Sequence, residues 1–376
     1  MTDDLIDIVR LIGSDGIGAV SFTKYVKKFG SVSAALSAVS IKKTIMSLNE
    51  AREEIEDAQK KGIKIISYQD NKYPQKLLEI YDYPPILYAL GDIDLLNYDL
   101  CVAVVGARNA SIGGRKLASK IAYDLTENNV LVVSGMARGI DTAAHKGAMY
   151  AKNKSGPTIA VLGTGVDVIY PEENRELYAD IAKQGVVISE FMLKTPAQIG
   201  NFPRRNRIIS ALSYGTLVVE ATEHSGSLIT AQSALEQGKD VFAVPGSPAD
   251  ARSAGPNKLI KEGAILTQSA ADILDEIKKP LKERAKNKDV MLLPLDKAEN
   301  NVNISEQYED VFVPNEACEP AKDTDLLQHI GFDGVEIDEL LRSVDMEQSK
   351  FFEKLLELEF EGVIVRTAGN KVVRVK

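Results

Sequence analysis

The chain has 376 residues, enough for two or three domains, and its 44% hydrophobic and 26% charged content is that of an ordinary globular protein. The net charge of −9 is unevenly spread: residues 289–376 hold 20 acidic and 9 basic side chains, so the preceding 288 residues carry a net +2 and have room for a basic groove. Two cysteines with no metal spacing exclude a disulfide framework and a cysteine-based metal site, and the lack of any apolar run near 18 residues argues against a membrane span, so a cytosolic protein is expected.

In chain order, residues 1–62 read as helical, with amphipathic pieces LIDIVRLI, FTKYVKKF and VSAALSAV and the charged helix LNEAREEIEDAQKKG. The turn SDGIG between the first two resembles a helix-hairpin-helix, where glycines let backbone N–H groups approach a phosphate. A plain tight turn in a small bundle fits the same residues.

Over residues 63–279 the pattern changes. Apolar runs IKIIS, CVAVVG, LVVSG, TIAVLG, VVIS, TLVVE and DVFAVPG alternate with helix-length stretches such as 115–128 and 139–151. Such alternation predicts a mostly parallel sheet covered on both faces, an α/β extended Rossmann-like domain. The segment YPQKLLEIYDYPPILYALGD is expected to add a helix and an extra strand ahead of the first central one. Residues 280–322 read as an acidic linker. Residues 323–376 predict a winged helix-turn-helix: three helices, the third opened by a capping box of Asp345 and Gln348, then a hairpin VIVRTAGNKVVRV turning near Gly369 and Asn370. The third helix carries Glu347, Glu353, Glu357, Glu359 and Glu361 against Lys350 and Lys354, whereas a groove reader is expected to be basic. Protein contact or autoregulation is the better expectation for it.

The chemistry concentrates in loops that follow strands, where open α/β sheets bind ligands. GARNASIGG supplies Arg108 and Ser111. SGMARGIDTAAH supplies Ser134, Gly135, Arg138 and Asp141. GTGVDVIYP supplies Thr164, and EATEHSGSLITA supplies Ser225 and Ser227. FPRRNR places Arg204, Arg205 and Arg207 at the start of an apolar helix. Arginine forks match phosphate oxygens, and helix N-termini add free N–H groups. Together they predict an extended phosphate-binding rim. Asp141 and His145, four apart, fit an acid/base pair or a capped turn, with capping favoured. Glu220 fits a catalytic carboxylate or an ion-pair or backbone-bonding role.

Neither GARNASIGG nor GTGVDV matches the dinucleotide fingerprint G-x-G-x-x-G, and no P-loop or metal motif occurs. No cofactor, metal or catalytic residue is expected. In fixed order, VAVVGARNAS, VVSGMARGIDTAAHKGA, AVLGTGVDVIYPEEN, FPRRNRIISALS, VVEATEHSGSLITAQSALEQGKDVFAVPG and GPNKLIKEGA resemble the bacterial DNA-processing protein A family (DprA/Smf), densely over residues 63–275. The resemblance implies a non-enzymatic protein that binds single-stranded DNA and forms a homodimer. It further implies loading of RecA recombinase during natural transformation, past the single-strand-binding protein. By motif match it marks Arg108, Ser111, Ser134, Gly135, Arg138, Thr164, Arg204, Arg205 and Arg207 as DNA contacts, with Ser225 and Ser227 as secondary candidates. A rival reading is a nucleotide N-glycosidase of the lysine-decarboxylase-like phosphoribohydrolase type, whose signature is P-G-G-x-G-T-x-x-E. In SALSYGTLVVEA the Pro-Gly-Gly is missing and Glu220 lies one residue late, which turns it to the other face of a strand.

Overall fold

The computed structural model describes residues 3–40, 44–152 and 158–278 and, nearer the C-terminus, 335–337, 340–341, 351, 364–367 and 371–374. The chain divides into two compact units, Met1–Asn300 and Asn301–Lys376.

The first unit opens with four helices: α1 (Asp3–Ile12), α2 (Ala19–Phe29), α3 (Val32–Val39) and α4 (Leu48–Lys60). The expected α1–α2 turn is present, with Gly16 at φ 67°, a left-handed conformation that suits glycine. Ser47 and Glu50 form a capping box at the start of α4, each satisfying an N–H the helix leaves free. These helices have no separate core. Ile8, Leu11, Phe22, Leu36 and Ile55 pack in one cluster with Tyr88, Ala160, Leu162, Ile181 and Val187 of the α/β part. Residues 1–62 are thus distinct in sequence pattern but continuous in packing with the sheet.

The α/β part is a nine-stranded sheet: β1 (Lys64–Ser67), β2 (Ile86–Gly91), β3 (Cys101–Val105), β4 (Leu131–Ser134), β5 (Thr158–Val161), β6 (Val186–Ser189), β7 (Gly215–Val218), β8 (Asp240–Ala243) and β9 (Ile265–Leu266). Their spatial order is β1-β2-β6-β5-β4-β3-β7-β8-β9. β3 to β9 pair in parallel. β2 runs antiparallel to both β1 and β6, so the extra strand joins the sheet beside β6 and not beside β3. The helix expected before it is a short 3-10 turn, Gln75–Glu79. Helices α5 (Ile112–Glu127), α6 (Ile140–Met149), α7 (Arg175–Gln184), α8 (Asn201–Leu212), α9 (Gly226–Glu236), α10 (Ala254–Lys261) and α11 (Ala270–Lys278) follow the strands.

Alternate residues of each strand face opposite sides, and both sides are apolar. Ala103, Val105, Val133, Ile159 and Ile188 pack under α8, α9 and α10. Val102, Val104, Val132 and Leu217 pack under α5, α6 and α11. Strand order reverses at β3, which has β4 on one side and β7 on the other. Their connections leave to opposite faces, and this opens a crevice at the carboxyl ends of β3 and β7.

In the second unit, β10 (Val335–Glu336) and β11 (Ile364–Thr367) flank β12 (Lys371–Arg374), all antiparallel. The expected hairpin is therefore formed by β11 and β12. The linker 280–322, the Asp345/Gln348 capping box, the glutamates of the third helix and the Gly369–Asn370 turn lie outside the described residues.

Candidate nucleic-acid interface

The switch-point crevice is closed by Glu220, just beyond β7. Ser111 N-caps α5, accepting the Gly114 N–H at 2.8 Å. Its hydroxyl donates to Glu220 Oε1 (2.5 Å) and its N–H donates to Oε2 (2.8 Å). A carboxylate thus sits at the α5 N-terminus, where a helix otherwise draws a phosphate. The Ala107 N–H also donates to the Glu220 carbonyl at 2.6 Å. Of the two roles open to Glu220, the structure shows the backbone-bonding one. Ser111 faces inward to it.

At the end of β4, Ser134 is fully buried and donates to the Val104 carbonyl at 2.7 Å. Asp141 accepts the N–H groups of Gly135 (3.1 Å) and Ala137 (3.3 Å), which is the capped turn and not an acid/base pair. Burial pushes its carboxyl up to about 6, against the lowering influence of Arg205. His145 is buried, with Nδ1 2.8 Å from Thr158 Oγ1. That hydroxyl donates to the Val132 carbonyl, so the imidazole Nδ1–H is the donor in its bond to Thr158. Burial pushes the imidazole down to about 3, which keeps it neutral. Thr164, after β5, is also buried and donates to the Val168 carbonyl at 2.8 Å. Ser134 and Thr164 therefore shape the rim from within.

The three arginines of FPRRNR have different surroundings. Arg204 is exposed, its side chain 53% accessible; its guanidinium lies 5.1 Å from the Phe191 ring centroid and 3.9 Å from Glu190. Arg205 is 4% accessible. It donates to the carbonyls of Gly135 (2.5 Å) and Val161 and to Asn206 Oδ1 (3.2 Å), tying α8 to the ends of β4 and β5. A Cβ at Gly135 would lie 2.6 Å from that guanidinium, so the glycine makes room for Arg205. Burial brings the Arg205 pKa down to about 10. Arg207 is held bidentately by Glu190 (3.0 and 2.8 Å) and by Asp82 Oδ2 (2.8 Å). Burial opposes its charge, but Glu190 and Asp82 outweigh that and raise its pKa. The expectation that all three arginines point to the rim is corrected for Arg205 and Arg207. Buried carbonyls and carboxylates, invisible from local spacing, engage them first.

Arg138 and Arg204 are exposed and Arg108 is half-buried. The Arg108 guanidinium lies 5.2 Å over the Phe202 ring, and Tyr170 packs 5.6 Å from the same ring. Arg138 is exposed and paired with exposed Glu173 at 2.9 Å. Ser225 N-caps α9, and its hydroxyl is 2.8 Å from that of Ser227, which is itself buried. Sequence reading missed Asn206, whose amide donates to the Gly226 carbonyl (3.2 Å) and so links the α8 and α9 openings. It also missed Glu190 and Asp82. Glu190 follows strand VVIS directly, a position that could have marked it. Among the described residues no cluster of His, Cys, Asp and Glu fits a metal ion, and no helix is long and apolar enough to cross a membrane.

Comparison with known proteins shows the family to which the chain belongs. The family model for DNA recombination-mediator protein A matches residues 64–278. Models for a DprA-like N-terminal HHH domain and a DprA winged helix domain match residues 2–56 and 313–370. The DNA processing protein DprA of Streptococcus pneumoniae is 48% identical over 210 residues, 56% of this chain and 73% of that protein. Protein Smf of Escherichia coli is 38% identical over 301 residues, 80% of this chain and 74% of that protein. The X-ray structure of the S. pneumoniae protein matches with a TM-score of 0.63 and 35% identity, covering 73% of this chain and 98% of that one. DNA processing protein A from Helicobacter pylori, whose structural study concerns its single-stranded DNA binding mode, matches with a TM-score of 0.52 and 28% identity, covering 59% and 96%. The central family model alone spans more than half of the sequence, and the chain belongs to the DNA recombination-mediator protein A (DprA/Smf) family.

Proposed function

We propose that the chain is a non-catalytic recombination mediator that binds single-stranded DNA along the rim of its parallel sheet. One observation carries the reading: Arg138 and Arg204 are exposed and Arg108 half-buried at the strand-end loops and the start of α8, with Phe202 beneath Arg108 as an aromatic plane. Guanidinium groups hold phosphates without reading sequence, and a base stacks on Phe202 or on a guanidinium face. Ser111, Ser134, Gly135, Thr164, Arg205, Arg207 and Ser227 act in this reading as the frame that fixes those groups. Ser225 remains a candidate contact at the α9 opening. The partners proposed are RecA recombinase, loaded onto the bound strand during natural transformation, the single-strand-binding protein it displaces, and a second copy of the chain.

The N-glycosidase alternative needs a carboxylate free to meet a ribosyl group. Glu220 instead accepts two hydrogen bonds from Ser111, which weighs against it. The test is binding of labelled poly-dT against duplex of equal length, beside hydrolysis of nucleoside monophosphates. Single-strand preference without turnover supports the mediator reading. Turnover that disappears in Glu220→Gln supports the enzyme.

A further inference from the structure

Helices α5 and α6 lie side by side on one face of the sheet. They approach so closely that a Cβ at Gly147 would sit 2.1 Å from the Ser119 carbonyl oxygen. Ala118, Ala122, Ala144 and Ala148 are buried in the core below them. This close packing leaves an open trough of about 700 Å³ along their outer surface. It starts at the first turns, by Ile112 and Gly139, and ends by Tyr123 and Tyr150. At 1.5 Å per helical residue it is about 16 Å long.

Its charge is nearly of one sign. Arg115, Lys116, Lys120 and Lys146 line it, against the single carboxylate of Glu173. That carboxylate is already paired with Arg138 at 2.9 Å. Lys120 is paired with Asp124 at 2.6 Å, but Lys116 and Lys146 form no salt bridge among the described residues. A run of lysines on a helix is ordinarily just a solvated face. Here the lysines flank large apolar side chains that folding leaves in water: Tyr150 is 74% exposed and Ile112 67%. The trough is also continuous with the rim, because Gly139 and Glu173 at its upper end adjoin Arg138.

We propose that this trough is an accessory single-strand site, which takes the nucleotides leaving the rim past Arg138. Lys116 and Lys146 hold their phosphates, and Tyr150 offers a ring for a base. The proposal rests on the reading of the rim as a single-strand site. It follows from charge complementarity and from continuity: a polyanion held at the rim is delivered to the upper end of the trough.

The test uses the full chain and fluorescence anisotropy with dT oligomers of two lengths. One, of about 6 nucleotides, fills the rim alone; the other, of about 25, reaches the trough. Lys116→Glu/Lys146→Glu is expected to weaken the long oligomer about tenfold or more and leave the short one within about twofold. With Lys116→Gln/Lys146→Gln, a milder pair, the salt slope for the long oligomer should become shallower by about 1.4, two phosphates at 0.7 each. Tyr150→Ala should weaken the long oligomer about fivefold with the slope unchanged. Equal loss for both lengths, or no loss for either, with both charge-altered pairs would overturn the proposal; the second result is the one expected if the trough serves an acidic protein surface. Failure of the rim itself looks different. There the unaltered chain binds neither oligomer, or Arg108→Ala and Arg204→Ala leave the short one unaffected.

Discussion

Arg207 separates the structural reading of the FPRRNR cluster from the reading by charge alone. Replacing it with alanine removes a guanidinium that the structure encloses between Glu190 and Asp82, whose side chains are 5% and 18% accessible. The four bonds it makes to these two residues cannot be transferred to water, because Glu190 stays buried. Breaking a buried pair from one side typically costs about 3–5 kcal/mol, mostly the cost of the abandoned charge. At about 2–4 °C per kcal/mol for a domain of this size, Tm should fall by about 10 °C. Differential scanning calorimetry with chemical denaturation measures this directly. The combined change Arg207→Met/Glu190→Gln/Asp82→Asn, which removes all three charges, should recover much of the loss, since replacing an entire buried charge cluster is often nearly neutral. An Arg207→Ala protein with unchanged stability that fails to bind single strands would refute the reasoning and make Arg207 a phosphate ligand after all.

Arg204→Ala should behave oppositely. Its side chain is half exposed and its only carboxylate contact among the described residues is at 3.9 Å, so stability should change by under about 0.5 kcal/mol while poly-dT affinity falls, by about 1.5–3 kcal/mol if a charge-assisted phosphate contact is lost. His145 makes a prediction with a definite sign. Its folded-state pKa is pushed down to about 3 while the unfolded value is about 6.5, so its contribution is intact above about pH 6.5 and is lost as pH falls toward 3. Between pH 7 and 5 this amounts to about 2 kcal/mol. Asp141, raised to about 6 by burial, works in the reverse direction and gains stability on acidification over the same window. The informative quantity is therefore the stability difference between His145→Asn and the unaltered chain. It should shrink by about 2 kcal/mol on going from pH 7 to pH 5; a difference that does not change with pH would show that the imidazole is not held neutral. Removing residues 320–376 should leave poly-dT binding within about threefold, because the proposed contacts all lie in the first unit. A tenfold loss with that unit still folded would place a main contact in the winged helix.

Much of the sheet was legible because its parallel strands are short unbroken apolar runs. CVAVV, LVVS and TIAV cannot face water on either side, and each ends in a glycine- or serine-bearing loop. The loops at the carboxyl ends of these strands were legible for the same reason. What was not legible depends on distant partners. β9 is two residues long, and only its pairing with β8 makes it a strand. The registration of β2 against β6 joins segments about a hundred residues apart. Arg204, Arg205 and Arg207 look alike in sequence, but helical geometry turns successive residues by about 100°. Arg205 is thereby aimed into the sheet ends, while Arg207 meets Asp82 from a loop 125 residues earlier. Likewise, Glu220 has an acid's chemistry in sequence, and only the fold reveals that Ser111 occupies both its oxygens.

The most direct test of the central claim is the salt dependence of single-strand affinity, measured with a short dT oligomer and with mixed sequences of the same length. The three rim arginines, Arg138 and Arg204 exposed and Arg108 half-buried, engage about two or three phosphates, so log K against log salt should fall with a slope of about −1.4 to −2.1. Arg108→Ala should flatten that slope by about 0.7 for every sequence alike, and the sequences should differ from one another by less than about tenfold. A flat salt response, or hundredfold discrimination among mixed sequences, would mean that bases are read in a neutral pocket and would contradict the phosphate rim.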